Sequence, residues 1–211
     1  MILNTSHAEK VSKLRVDAYL HRYGDRAVSK KLLWNNNDER YLNIGLIDSA
    51  HELLSTLRIA LLRTAGDFKS VMLMPHDPAR CELPVIVLGR GATRQDFESQ
   101  GFHGVLRSSA LKISRGTVAT AVMGTMEQGS LRIPQMKELG YTFFENQEPW
   151  NGFLKDEKPA AVAILPKGPR LDRAIELLDL RERKRNRPIE DLIAYEGAIA
   201  HLHAAIPIDA V

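Results

Sequence analysis

Apolar residues follow two different periods in the first quarter of the chain. From residue 6 to residue 22 they recur every three or four positions, and Ser6 with Glu9 has the spacing of a capping box. We therefore predict a helix over residues 6–22. From residue 41 to residue 46 apolar residues alternate with Asn43 and Gly45, which predicts a strand with one buried face.

Between these two elements the pattern weakens. Asp25 could cap a shorter helix that runs to Trp34. The run of three Asn and one Asp at residues 35–38 favours a turn, because these side chains bond to their own backbone instead of supporting a helix. We expect residues 1–40 to form a helical N-terminal arm.

The widest apolar stripe lies between residues 49 and 65. Ser49 and Glu52 form a second capping box, and Gly66 follows as a helix end. This spacing predicts an amphipathic helix over residues 49–65. Its stripe consists of Leu53, Leu54, Leu57, Ala60, Leu61 and Ala65.

Several short apolar runs bounded by Pro or Gly predict strands of a sheet with helices packed against it. Two consecutive runs, residues 71–74 and 84–88, have no predicted helix between them, which implies that part of the sheet is antiparallel. A short helix over residues 134–139 precedes one of the later strands. The strand predictions cover residues 71–74, 84–88, 105–113, 117–123, 141–145 and 160–165.

These elements together predict the fold class. We expect one α/β or α+β domain over residues 1–211, with a mixed sheet of five to seven strands and packed helices in a core of residues 41–166. Residues 167–205 should form a C-terminal helical hairpin, since apolar stripes predict helices at 170–186 and 189–204 with Pro188 between them.

Composition narrows the class of protein. With 44% hydrophobic and 26% charged residues, the chain resembles an ordinary globular protein. The single cysteine, Cys81, excludes an internal disulfide and a cysteine-based metal site. Residues 1–10 show no secretory signal and no apolar run is long enough to span a membrane, so we expect a cytoplasmic protein without a membrane partner.

The densest charge cluster lies at the end of the penultimate helix, although the net charge of the whole chain is only +3. Such a cluster could bind nucleic acid or an anionic protein surface, and nucleic-acid binding would fall steeply with salt. It could equally be a solvated helix end stabilised by the helix dipole. Its basic residues are Arg181, Arg183, Lys184, Arg185 and Arg187.

A second candidate anion site is a glycine-rich segment after the predicted strand 84–88. A strand, a glycine turn and a helix capped by Thr93 would point backbone N–H groups at a phosphate. Arg94 stands where the dinucleotide fingerprint requires glycine, so an ordinary turn is the alternative. The residues of this possible phosphate turn are Gly89, Arg90, Gly91, Thr93 and Arg94.

Other chemistry-bearing residues are isolated. His76 and Cys81 share one loop and could support general-base or nucleophilic chemistry, but adjacent Asp77 more simply stabilises a turn. His201 and His203 have the wrong spacing for a helical zinc pair. The sequence therefore identifies no catalytic residue, no metal site and no cofactor.

Three hypotheses of function remain. The first is a non-catalytic regulatory protein that binds nucleic acid, or a nucleic-acid-handling complex, through the basic helix end. The second is an adaptor or inhibitor of a larger machine, with Trp150 as the anchor for a protein partner. The third is an enzyme acting on a phosphorylated or nucleotide substrate, held by the phosphate turn with His76 as base.

Overall fold

The computed structural model describes residues 1–149, 154, 159–184 and 195–204, and strands and helices alternate along them. The strands are β1 (Ile2–Leu3), β2 (Leu42–Ile47), β3 (Leu53–Leu62), β4 (Val85–Thr93), β5 (Ala121–Glu127), β6 (Thr142–Pro149) and β7 (Pro159–Pro166). The helices are α1 (Ala8–Tyr23), α2 (Asn36–Arg40), α3 (Ala65–Met72), α4 (Phe102–Arg115), α5 (Ile133–Glu138), α6 (Pro169–Arg183) and α7 (Tyr195–Ala204).

All seven strands form one mixed sheet in the order β1-β2-β3-β4-β5-β7-β6. Neighbouring strands are antiparallel except β4 and β5, which run parallel and are joined through α4. The predicted fold class, a mixed sheet of five to seven strands with packed helices, is confirmed.

The sheet is buried on both faces. Successive side chains of a strand point to opposite faces, so each strand contributes to two separate layers of packing. Leu57 and Ile59 of β3 pack on one face with Leu106 and Leu111 of α4. Ala60 and Leu62 of the same strand pack on the other face, where α3 lies. We refer to these as the α4 face and the α3 face.

The predicted helix over residues 49–65 is wrong, because residues 53–62 form strand β3. All ten residues of this strand are buried. A strand covered on both faces carries apolar side chains at almost every position, so the same residues also satisfy a helical spacing. The widest stripe in the sequence is therefore the central strand of the sheet.

Two predicted strands are helices instead. Residues 71 and 72 end helix α3, with Leu73 as its C-cap. Thr64 caps the start of this helix by accepting from the Asp67 N–H at 3.0 Å. Residues 105–113 lie within α4, whose buried residues alternate with partly buried ones at helical spacing. In both cases a short apolar run was too local a signal to separate strand from helix.

The N-terminal arm also differs in detail. Residues 25–34 contain two single helical turns, Gly24–Arg26 and Ser29–Lys31, in place of the predicted helix. Residues 35–38, predicted as a turn, begin helix α2, because the Asn35 side chain caps it and Asp38 completes a capping box.

The remaining elements agree with their predictions to within a few residues. The second C-terminal helix is α7, but the connection predicted between the two helices lies outside the described residues. Within the described part of the chain, no helix is both long and apolar enough to cross a bilayer. The confirmed elements are α1, β2, β4, β5, α5, β6, β7 and α6.

Candidate functional site

A β-bulge interrupts strand β4 near its end. On β3 only one residue separates Thr56 from Arg58, whereas two residues of β4, Arg90 and Gly91, separate the corresponding partners. Arg90 has a φ of 56°, in the left-handed region that non-glycine residues rarely adopt. An extra residue bends the strand that carries it, so the bulge redirects the end of β4.

The same region of the sheet opens beside the bulge. Strands β4 and β5 pair in parallel only until Val87 and Met123. Beyond these residues β4 continues along β3 and β5 continues along β7, so the two parallel strands share no further pairing. This leaves a gap in the middle of the sheet instead of at its edge.

The larger of two adjoining cavities occupies this opening, and we call the two together the cleft. The larger has a volume of about 750 Å³ and the smaller about 540 Å³. Leu57 and Tyr141 line the larger cavity from the α4 face, and Met72 and Val87 line it from the α3 face. The cavities share the lining residues Tyr19, Gly91, His103, Arg107, Arg132 and Met136.

The larger cavity is strongly cationic and partly apolar. Its described lining contains no Asp or Glu, although the net charge of the whole chain is only +3. Five of the six methionines of the chain also line it, and these flexible side chains adapt to apolar groups of different shape. The cationic lining residues are Lys31, Arg58, Lys69, Arg90, Arg107 and Arg132.

On the α3 face the cations stand in a buried network. Arg15 and Asp38 are inaccessible to solvent and form an ion pair of 2.9 Å. The same guanidinium donates to Asn43 Oδ1 at 2.9 Å. Arg58 Nη1 lies 3.7 Å from Asp38 Oδ1, too far for a hydrogen bond, and has no acceptor among the described residues. One carboxylate therefore serves two buried guanidinium groups.

Burial and mutual repulsion disfavour the charge on these arginines. Burial lowers the pKa of Arg58 to about 10, with Asp38 opposing the change. Burial lowers the pKa of Arg90 as well, and the charge of Arg15 adds to this effect. The Arg90 side chain also donates a hydrogen bond to the Lys31 carbonyl. Arg58 and Arg90 still carry a positive charge at neutral pH, so an anion entering this end of the cleft would be stabilised.

A second group of cations lies toward the α4 face. Burial, together with the charges of Arg107 and Arg22, lowers the pKa of Arg132 to about 10. The pKa of His103 falls well below its usual value because the ring is buried and Arg132 and Arg107 repel its charged form. His103 is therefore neutral at pH 7, and its Nε2 lies 3.4 Å from Arg107 Nη2.

Tyr141 provides a proton donor inside the cleft. Its side chain is buried, and its hydroxyl has no acceptor among the residues that the structure describes. Burial raises the pKa of this phenol, so it stays protonated at neutral pH. A buried hydroxyl with an unused proton is suited to donate it to a leaving group.

The predicted phosphate turn is partly rearranged. Gly89, Arg90 and Gly91 line the cleft, but they belong to the bulged strand. Thr93 caps no helix and lies 2.8 Å from Ser55 through its hydroxyl, because α4 begins only at Phe102. Arg94 is paired with Asp96 at 2.8 Å on the surface. The anion-binding role of these five residues stays a prediction.

The basic helix end is only partly free. Arg181 forms an ion pair of 2.8 Å with Glu138, while Arg183 and Lys184 are exposed. Arg185 and Arg187, and also Trp150, lie outside the described residues. Binding of an anionic or protein partner through these residues stays a prediction.

The remaining histidines do not assemble into a site. His76 Nε2 lies 2.9 Å from the Cys81 carbonyl oxygen, and neither residue lines the cleft. His201 and His203 are exposed near the end of α7. Among the described residues no group of three or more His, Cys, Asp or Glu side chains could hold a metal ion.

Sequence reasoning missed most residues of the cleft. Arg107, Arg132 and Tyr141 come from three separate elements, and nothing in their local sequence links them. Arg58 offered the one usable signal, because a charged residue in the middle of a continuous apolar run must be paired or functional.

The pKa of His103 predicts a loss of stability in mild acid. As pH falls from about 7.5 to about 5.5, the unfolded chain takes up a proton on this residue while the folded protein does not. The free energy of unfolding should decrease by up to about 1.4 kcal/mol per pH unit from this group. Denaturant titrations at the two pH values should show a smaller decrease in the free energy of unfolding for His103→Gln than for the wild type. Equal decreases would contradict a buried, neutral His103 ring.

Comparisons with known proteins come from structure alone, since neither a family model nor a curated protein matches the sequence. A CoA-dependent acyl-homoserine lactone synthase with SAM and isopentyl-CoA shares the fold with a TM-score of 0.56, at 14% identity over 81% of each chain. An N-acyl amino acid synthase from uncultured soil microbes gives 0.55 at 14% identity, over 79% of this chain and 89% of that one. A GNAT family acetyltransferase from Brucella melitensis in complex with acetyl-CoA gives 0.53 at 13% identity, over 80% and 87%.

These likenesses correct the first hypothesis of function. The chain has the fold of enzymes that form acylated products, so the hypothesis of a non-catalytic regulatory protein that binds nucleic acid is wrong. At such low sequence identity the likeness establishes the fold but not the reaction.

Proposed function

We propose that this protein is a CoA-dependent acyltransferase that transfers an acyl group from a thioester to an amine. The observation that carries the proposal is the cationic cleft between the separated parallel strands β4 and β5, which reaches both faces of the sheet. A donor and an acceptor can therefore approach from opposite faces and meet beside the bulge. The isopentyl-CoA and acetyl-CoA complexes of two structural neighbours support this interpretation.

The donor fits the α4 side of the cleft on physical grounds. Beyond Val87 the edge of β4 that faces β5 is available to an extended chain with amide groups, such as the pantetheine arm of CoA. The N-terminus of α4, at Gly101 to Gly104, lines the smaller cavity, and a helix N-terminus attracts phosphate. Arg107 and Arg132 add positive charge at the same place, where the lining also contains Glu98 and Glu182.

The cavity also has room for an acyl group larger than acetyl. A volume of about 750 Å³ lies within the range of pockets that enclose whole small molecules. The methionine side chains along it offer an adaptable apolar surface. We therefore expect the enzyme to accept acyl groups of several chain lengths.

The chemistry needs few groups from the protein. An uncharged amine attacks the thioester carbonyl, a tetrahedral intermediate forms, and the carbon–sulfur bond breaks. In this mechanism Tyr141 donates its proton to the departing thiolate and regains one from the nitrogen that becomes the amide. The described lining of the larger cavity offers no carboxylate base, but its cations disfavour an ammonium ion and so favour the reactive free amine.

Binding of the donor can be tested without knowing the acceptor. CoA and acyl-CoA esters of increasing chain length should raise the melting temperature, because a ligand that binds only the folded state stabilises it. Arg132→Gln should weaken acyl-CoA binding about tenfold, since it removes a cation from the phosphate-binding side.

The control is Arg173→Gln, which removes an exposed arginine of α6 that forms an ion pair of 3.2 Å with Glu176. This variant should bind acyl-CoA like the wild type. Absence of any shift with CoA thioesters, together with no release of free CoA in the presence of a broad set of amines, would refute the proposed function.

A further inference from the structure

The cations on the α3 face remain unexplained by a CoA site on the α4 face. Arg58 is 5% exposed, lines the larger cavity and leaves Nη1 without an acceptor among the described residues. Arg90 lines the same cavity from the bulge, and its charge is coupled to those of Arg15 and Asp38. We call Arg58 and Arg90 the acceptor-side arginines.

Charge accounting shows that this end of the cleft lacks an anion. Arg15 and Arg58 both pair with Asp38, Arg15 at the shorter distance, and the charge of Arg90 is coupled to the same carboxylate. Burying a cation without a partner is costly, and such a group persists where a ligand completes it. Burial is the main reason for the lowered pKa of both acceptor-side arginines, and repulsion from Arg15 adds to it.

The position of Arg58 would hold the missing anion close to the reacting groups. Arg58 lies opposite Gly89 in the sheet, one residue before the bulge, and therefore beside the point where β4 separates from β5. A guanidinium group binds a carboxylate through a planar pair of hydrogen bonds. An amino group one carbon away from that carboxylate would lie near the opening between the strands.

We propose that the acceptor is an amine that also carries a carboxylate, such as a free amino acid, and that Arg58 and Arg90 bind this carboxylate. The inference rests on the proposed acyl transfer and adds the class of acceptor. A phosphate of CoA is the other anion that could reach these residues. A carboxylate is favoured because the α4 side supplies a separate group of cations for the phosphates.

Matched acceptors test the proposal directly. Wild-type enzyme is given one acyl-CoA and either leucine, leucinamide or isoamylamine, which differ in the carboxylate, and free CoA is measured over time. We expect kcat/KM for leucine to exceed that for the other two at least about tenfold, since an unpaired buried charge penalises acceptors that lack the carboxylate. A second set of three acceptors, built on phenylalanine in the same way, tests whether a mismatch of side-chain size explains the result.

A variant distinguishes the acceptor from the donor. Arg90→Gln leaves the Arg15–Asp38 ion pair in place and is less disruptive than a change at Arg58. It should raise KM for amino acids about tenfold, while KM for acyl-CoA stays at the wild-type value. Arg58→Lys, which keeps the charge near Asp38, should show the same selectivity if it remains folded.

The outcomes separate the two proposals. Equal use of leucine and isoamylamine, or no acylation of any amino acid by a protein that binds acyl-CoA, would overturn the carboxylate site and leave a CoA enzyme with another acceptor. An increased KM for acyl-CoA in Arg90→Gln would assign the acceptor-side arginines to a phosphate of the donor. Failure to bind acyl-CoA at all would refute the proposed function itself.

Discussion

Replacing Asp38 with alanine should lower the free energy of unfolding by about 3 to 5 kcal/mol, because it leaves buried arginines without their carboxylate. Arg15 and Asp38 are both inaccessible to solvent, and their ion pair of 2.9 Å links α1 to the start of α2. Arg58 shares the same carboxylate at 3.7 Å. Denaturant titration of the purified variant at neutral pH measures the loss.

Asp172→Ala is the matched control for this prediction. Asp172 also pairs with an arginine, Arg115, at 3.6 Å, but both side chains are half exposed. Exposed ion pairs contribute less than about 1 kcal/mol, so this variant should unfold nearly like the wild type. If both aspartate variants lose the same stability, the buried network is not the reason for the loss.

Replacing Gly91 with valine should reduce kcat/KM for acyl transfer about 100-fold while the protein stays folded. A Cβ atom at this position would lie 2.5 Å from His103 Cε1 and 3.4 Å from Leu57 Cδ1. The substitution therefore pushes the His103 ring into the space that both cavities share, which narrows the passage for the donor. Initial rates of CoA release measure the effect, and thermal unfolding verifies folding.

Gly89→Ala provides a control two residues earlier on the same strand. A Cβ atom at Gly89 meets no other atom within 4 Å, so this variant should keep the wild-type rate to within about twofold. Because both glycines lie at or beside the bulge, a difference in rate between the two variants reports on the shape of the cleft. Equal activity of the Gly91 variant and the wild type would mean that the substrate does not pass His103.

The fold could be predicted where polar and apolar residues of an element alternate with one clear period. Helix α1, which ends at Gly24, and strand β2 have such periods, so their type and approximate bounds followed from the sequence. Strand β3 could not be assigned in this way, since all ten of its residues are buried and its leucines satisfy a helical pattern equally well.

The candidate site was only partly visible in the sequence. The segment around Arg90 was identified as a possible anion site, but as a turn before a helix and not as a bulge inside a strand. His103, Arg132 and Tyr141 carry no motif, because their relation depends on how α4, α5 and β6 pack around the cleft. The basic run from Arg181 attracted attention only because its residues are adjacent in the chain.

By itself the sequence determined a mixed α/β protein of ordinary composition, because local patterns of burial and turn residues are properties of neighbouring positions. Only the tertiary structure decided that residues 53–62 are a strand and that cations from distant elements meet in one cleft. The register of β3 against β4 places two residues opposite one, and the parallel strands β4 and β5 part beyond Val87. Both features arise from pairing between segments far apart in the chain, which no local pattern encodes.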